Sequence, residues 1–363
     1  MKICILLPYA NPHTTGWIDE FVLYTHHEVV IGVVSSVKKY RTNHFEEADN
    51  KNYLYFFKDE KNKKSFYAEL ANSECLVTLG IFESWFIKAV FHMAKVNRIY
   101  VLSEPLRPMH KKLFRKLYVS LLTVIKRSSS FAFLCMGGAI VKEQYSSFGF
   151  EKSDYYQFGH FPVLSLAKKV YFKFNTLKFI FVGKLIERKG IDILILLIKY
   201  LQKKYADWQF LIVGQGDLKN ELFKNVSGEK RIQYVENISD ATIMKDKFNE
   251  SHILFLPSYF DGWGAVVNEA LSSCCSLLLS QNVYAGVPLL INEQNGFSFN
   301  PYHLNELYKC VDKYFNNPGI LANHFLKSQE IFSEWNHQNA AYSFNNLIDG
   351  KSNPQNQSLL KQL

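Results

Sequence analysis

The stretch 257–270 reads PSYFDGWGAVVNEA and sets two carboxylates, Asp261 and Glu269, around the turn Gly262-Trp263-Gly264. It follows the apolar run HILFLP and leads into VVNEALSS, so Glu269 falls in the first turns of a helix and Asp261 in the loop before it. A carboxylate so placed can accept two hydroxyls from one ribose, while loop N–H groups can meet a phosphate or sugar oxygen. Together the acids and the donor-rich turn suit a sugar nucleotide. For Glu269 alone, an ordinary acid complementing the helix dipole is an equally good reading.

A second stretch, GKLIERKG at 183–190, lies between the strand-like KFIFV and the helix-like IDILILLIKYLQKK. Gly183 and Gly190 let the backbone turn closely, and Lys184 and Lys189 put positive charge beside a helix start. That describes a phosphate cradle; by itself it also describes a solvated basic loop. It is not a Walker A loop, which needs G-x-x-x-x-G-K-[ST]. LIVGQGD offers Gly214 and Gly216, but Lys219 stands where a dinucleotide fingerprint needs its third glycine, so a tight strand-to-helix turn is expected. SQNVYAG closes another strand, and NEQNG reads as a turn.

These loops need strands to hold them. Strands are expected at KICILLPY, HEVVIGVVS, CLVTLG, RIYVLSE and SFAFLCMG, then at KFIFVGK, WQFLIVGQG, RIQYVEN, HILFLPS and SLLLSQN, alternating with amphipathic segments. That alternation predicts an α/β architecture of two doubly wound units. In open parallel sheets the ligand crevice lies beyond the carboxyl ends of the strands, where the loops above begin. Pro162, Lys168, Lys169 and Lys173 mark a hinge between the halves. The spacing of Trp335, Ala341, Phe344 and Leu347 predicts a helix, and the polar tail after it has little to bury.

With 363 residues, the chain exceeds the size at which one core stops growing. A net charge of +9 suits an anionic partner, but no zinc-finger spacing, RNP-like signature or basic recognition helix supports nucleic acid. The six scattered cysteines include no C-x-x-C pair and read as reduced thiols. Neither a secretory leader nor an apolar run long enough for a membrane span is visible. The expected place is the cytoplasm, free or at the inner face of the membrane. For the latter, the basic amphipathic stretch 106–127, with Lys111, Lys112, Arg115, Lys116, Lys126 and Arg127, could lie on an anionic leaflet.

In order and spacing, GKLIERKG, LIVGQGD, LPSYFDGWGAVVNEAL, SQNVYAG and NEQNGFSF resemble the C-terminal domain of GT-B retaining glycosyltransferases, especially family four, over residues 176 to 300. The resemblance implies two Rossmann-like domains facing a central cleft: an acceptor-side domain at 1–165, a nucleotide-sugar domain at 166–334, a closing helix at 335–348 packing back on the first, and a disordered tail at 349–363. It places Glu269 on the ribose hydroxyls, Asp261 on the donor sugar and Lys189 on the diphosphate. Lys184 stands where the family has an arginine, keeping the charge without the planar fork. Asp261 is shorter than the family's usual glutamate. Gly183 and the turn Gly262-Trp263-Gly264 go to donor binding. Gly16, in NPHTTGW, corresponds to the family's glycine-rich loop near the donor phosphates. Glu104 follows the strand RIYVL, where many relatives carry a histidine; it either orients an acceptor or caps the next helix.

The resemblance implies transfer of a sugar from a nucleotide diphosphate to a hydroxyl of a glycan or lipid-linked acceptor, with retention, as in cell-surface polysaccharide or glycolipid synthesis. Lys184, Lys189 and loop N–H groups would stabilise the departing diphosphate. No cofactor is implied. With no Asp-x-Asp and no His or Cys cluster at ligand spacing, no metal is expected. Two rivals stay open: a sugar-nucleotide epimerase of the same fold, and a non-catalytic sugar-nucleotide-binding subunit.

Overall fold

A computed structural model describes residues 1–36, 50–107, 118, 120, 130–167, 176–351 and 359–363. Most of the basic stretch 106–127, and Lys168, Lys169 and Lys173 of the expected hinge, lie outside the described residues. The chain divides into two units, Met1–Val163 with Asn336–Leu363, and Leu164–Trp335.

Among the described residues, the first unit is built on seven parallel strands: β1 (Lys2–Leu7), β2 (Glu28–Val33), β3 (Tyr53–Tyr55), β4 (Cys75–Leu79), β5 (Arg98–Ser103), β6 (Ser130–Met136) and β7 (Asp154–Phe158). They lie in the order β3-β2-β1-β4-β5-β6-β7. The second holds β8 (Leu177–Val182), β9 (Trp208–Val213), β10 (Ile232–Val235), β11 (Ile253–Leu256), β12 (Ser276–Ser280) and β13 (Gly296–Phe299), ordered β10-β9-β8-β11-β12-β13. Every ladder is parallel, for example Ile3 opposite Val29 and Leu254 opposite Ile180. Both faces of such a sheet are covered, which explains the unbroken apolar runs KICILL and ILFL, buried almost throughout.

All ten expected strands form. Three unexpected ones, β3, β7 and β13, are sheet edges. NEQNGFSF, read as a turn, therefore supplies both a turn and the strand β13.

The helix His337–Ile348 packs in the first unit, capped by the Asn336 side chain, which accepts from Asn339 N at 2.9 Å. Its Phe344 ring meets Trp17, Phe21 and Tyr100 edge-on at 5.2, 5.2 and 5.3 Å. Edge-to-face pairs of this kind contribute about 0.5–1.5 kcal/mol each beyond their burial. The last five residues of the tail, expected to be disordered, are ordered. Residues 359–363 lie antiparallel along β7, with Leu360 N donating to Gln157 O and Gln157 N to Lys361 O, both at 2.9 Å. Leu359 is buried, and the segment satisfies an otherwise open sheet edge. No described helix is long and apolar enough to cross a membrane.

Candidate functional site

In the second unit the chain leaves β8 toward β9 and leaves β11 toward β12, on opposite sides of the sheet centre. This is a topological switch point, where an open α/β sheet has its crevice. The loops leaving β8 and β11 are GKLIERKG and PSYFDGWG, and the loop after β12 is QNVYA. Adjacent parallel strands bring together at one edge residues that are some seventy positions apart in the chain.

The first two loops are fastened to each other. Gly190 has φ 69°, and a Cβ there would lie 2.2 Å from Pro257 O, so only glycine permits the approach. Tyr259 N donates to Arg188 O at 2.9 Å, and Arg188 Nη1 to Phe260 O at 2.5 Å. Lys189 Nζ is in direct ion-paired contact with Asp261 Oδ2, and Arg188 Nη1 stands 3.8 Å from Asp261 Oδ1. The third loop holds Asp261 by its backbone: Asp261 N donates to Asn282 O at 2.9 Å and Tyr284 N to Asp261 O at 3.2 Å. Behind the cradle, Gly214 would drive a Cβ to 1.9 Å from Gly183 O, so the GQG turn buttresses the loop that carries Lys189. Gly183 itself sits at the end of β8, its Cβ direction 3.9 Å from Lys189 Cε.

Sequence reasoning gave Lys189 and Asp261 separate tasks; here they form one unit, with Arg188 as a second cation. Arg188 was missed, although it lies inside ERKG. Lys184 is exposed on the same loop, and the ion pairs of Asp261 are with Arg188 and Lys189.

At the other end of the stretch, the Trp263 side chain turns inward. Its ring is buried, parallel to Trp335 at 6.5 Å, and its Nε1 donates to Asn268 Oδ1 at 2.8 Å. The indole therefore fixes the turn onto the helix Val266–Ser272, and only the backbone of Trp263 can face a ligand. Gly264 takes φ 88°, and the N–H groups of Gly262, Gly264 and Ala265 make no hydrogen bond among the described residues.

Glu269 is half-buried on that helix, and its carboxylate has no hydrogen-bond or ion-pair partner among the described residues. Burial pushes it up to about 7 from the ordinary 4.5, because the charged form has lost water and gained nothing in exchange. An acid merely complementing a helix end would have been solvated.

In the first unit, Gly16 departs from its expected place in a loop. It lies in the interior of the helix Pro12–Tyr24, buried, where a Cβ would meet Phe161 O and Val163 Cγ2, each at 2.9 Å. The helix begins at Pro12 behind the Asn11 cap, so no glycine-rich loop forms there and Gly16 serves close packing. Gly16→Ala should lower Tm by several degrees while leaving the donor-nucleotide affinity within about twofold, since overpacking typically costs about 1–3 kcal/mol. Thermal denaturation alongside calorimetric titration checks both; a selective loss of nucleotide binding would restore the phosphate role.

Glu104 follows β5, is exposed, and accepts or shares a proton with His160 Nε2 at 3.0 Å. His160 follows β7 and lies edge-on to His13 at 6.1 Å. Sequence reading missed His160 because β7, DYYQF, carries no apolar run to announce a strand end.

Two parallel sheets with covering helices place the chain in the GT-B class of two Rossmann-like domains, the fold expected from its motifs. Residues 166–332 match the family described as glycosyl transferases group 1. A Haemophilus influenzae protein, named an uncharacterized glycosyltransferase, is 30% identical over 188 residues, 48% of this chain and 52% of that protein. The match thus spans about half the length of the curated relative. Among solved structures, the lipopolysaccharide outer core galactosyltransferase WaaB in apo form superposes with TM-score 0.69 at 15% identity, over 96% of this chain and 99% of that one. Anabaena Alr3699/HepE in complex with UDP gives 0.67 at 14% identity, over the same shares.

Proposed function

We propose that the chain is a retaining glycosyltransferase that moves a sugar from a nucleotide-diphosphate donor to a hydroxyl of a glycan or lipid-linked acceptor. The observation that carries this reading is Glu269: a desolvated carboxylate without a partner among the described residues, on the helix that follows the loop carrying Asp261 of the Lys189–Asp261–Arg188 group. Two ribose hydroxyls donating to Glu269 would relieve its desolvation. Lys189 and Arg188, with the N–H groups of the Gly262–Gly264 turn, would then meet the diphosphate.

When the glycosidic bond breaks, the sugar becomes oxocarbenium-like and the departing diphosphate gains negative charge. Fixed cations at that position stabilise the transition state more than the ground state. A phosphate oxygen of the leaving group takes the acceptor proton, so the transfer needs no side-chain base in the second unit. Asp261 orients Lys189 and remains the group assigned to donor-sugar hydroxyls. On the acceptor side we assign Glu104, held by His160. The UDP bound by the Anabaena protein makes a uridine nucleotide the first donor base to try.

The test is a thermal-shift screen of UDP-, GDP- and ADP-sugars on the full chain, followed by turnover with and without acceptors. One donor should raise Tm, since a ligand that binds only the folded state adds about 2.7 kcal/mol at a hundred times its Kd. That donor should be consumed at an appreciable rate only when an acceptor is present, with its anomeric configuration retained. Donor conversion without any acceptor would indicate an epimerase; donor binding never followed by consumption would indicate a binding subunit.

A further inference from the structure

At the opposite end of the first sheet from Glu104, two histidines and an aspartate converge. His26 and His27 precede β2, and Asp349 terminates the helix His337–Ile348. His27 Nε2 lies 2.9 Å and His26 Nε2 3.8 Å from Asp349 Oδ1, and the two imidazole rings are 4.0 Å apart. One ligand atom from each residue falls within 4.8 Å of the other two. Tetrahedral zinc, bound at about 2.0–2.1 Å by His nitrogen and 2.0–2.2 Å by carboxylate oxygen, spaces its ligands about 3.4 Å apart. The His26–Asp349 pair must close by about 0.4 Å and the His27–Asp349 pair open by about 0.5 Å to reach that spacing.

The backbone points the same way. The helix Pro12–Tyr24 ends just before His26, and the helix His337–Ile348 ends at Asp349, so two helix carboxyl termini converge on the cluster. Their carbonyl ends favour a cation. His27 and Asp349 are themselves nearly buried, with side chains 4% and 7% exposed, which holds two of the three ligands in place. Two cations already neighbour the ligands, and a metal ion binds in competition with them: Lys351 Nζ is 2.8 Å from Asp349 Oδ2, and the Met1 amine is 3.5 Å from His27 Nδ1. Lys351 engages the second carboxylate oxygen, leaving Oδ1 to the histidines.

We propose that His26, His27 and Asp349 form a site for a divalent transition-metal ion of the zinc type, completed by water. A set of two imidazoles and one carboxylate selects zinc, cobalt or nickel over magnesium or calcium, which demand oxygen. Ligation through His27 Nε2 uses that nitrogen's lone pair, so the ring proton moves to Nδ1 and the imidazole binds neutral, its bond to Asp349 Oδ1 replaced by the shared ion. The ion joins the start of β2 to the end of the closing helix, two segments of the first unit far apart in sequence. It takes no part in the chemistry proposed for the second unit.

The test titrates zinc into chelator-treated full chain against a chromophoric competitor, with cobalt as a spectroscopic probe of tetrahedral geometry. His26→Ala is the informative variant, because its side chain is 67% exposed and its loss should leave the fold intact. Wild type should bind one equivalent, with a rise in Tm and tetrahedral cobalt bands. His26→Ala and Asp349→Asn should each weaken that binding at least about tenfold, the loss seen when even supporting residues are removed. The donor-induced thermal shift of His26→Ala should match wild type. No stoichiometric binding, or equal binding by wild type and His26→Ala, would overturn the proposal.

Discussion

Lys189→Ala is expected to lower kcat about 10²-fold or more with a smaller change in KM, because removing one fixed donor from a developing negative charge costs about 10²–10³ in rate. The side chain is held where it is needed: it lies on the short helical turn Glu187–Lys189, stopped by Gly190, and is ion-paired to Asp261. Arg188 can compensate only in part, since its Nη1 is committed to Phe260 O. Lys189→Arg keeps the charge and loses the fit to Asp261, so it should recover only part of the rate. Asp261→Asn should also reduce kcat, and the double variant should lose less than the product of the two single effects, as groups acting as one unit do. Steady-state kinetics on the identified donor decides. A kcat within about threefold of wild type for Lys189→Ala, in protein of normal Tm, would refute the leaving-group role.

Glu269→Gln should move binding and stability in opposite directions. A carboxylate accepting two hydroxyls makes charge-assisted bonds of about 1.5–3 kcal/mol each, so the amide should weaken donor-nucleotide affinity on the order of 10²-fold. Without ligand, the same carboxylate is a burden. Its folded pKa lies above its unfolded value, so full stability is present below pH 4.5 and is lost as pH rises through about 7. The cost above that range is of order 3 kcal/mol, and the amide avoids it. Ligand-free Glu269→Gln should therefore melt above wild type at pH 8, and no higher at pH 5. Affinity carries the same signature. Ribose hydroxyls favour the ionised form, so binding releases a proton and wild-type affinity should rise about tenfold from pH 6 to pH 8, while that of Glu269→Gln stays flat. Calorimetry with an intact nucleotide sugar is the clean measurement, since its diphosphate does not titrate there. A flat wild-type profile would remove Glu269 from the ribose.

What the sequence showed and what it hid follow from solvent. Strands covered on both faces must be apolar throughout, so KICILL and ILFL announced themselves. The three missed strands are edges, short or polar, as DYYQF shows. Glycines and charges cluster at strand ends, and that clustering marked Lys189, Asp261 and Glu269 as candidates. Pairings were not legible. Nothing in the chain signals that Lys189 touches Asp261, that the Trp263 indole turns inward to Asn268, or that His160 meets Glu104. The cluster of His26, His27 and Asp349 was the least visible, because ligand spacing along the chain says nothing of residues 322 positions apart. Gly16 misled because a glycine needed for helix packing and one needed near a phosphate look alike in a sequence.

The closing helix also fixes an order of events during synthesis. Trp17, Phe21 and Tyr100 emerge from the ribosome early, yet the Phe344 ring they enclose is translated only after the entire second unit. The unit made first is completed last. A nascent chain halted after residue 335 holds all the residues of the second unit and an unfinished first one, with an aromatic face still awaiting its partner.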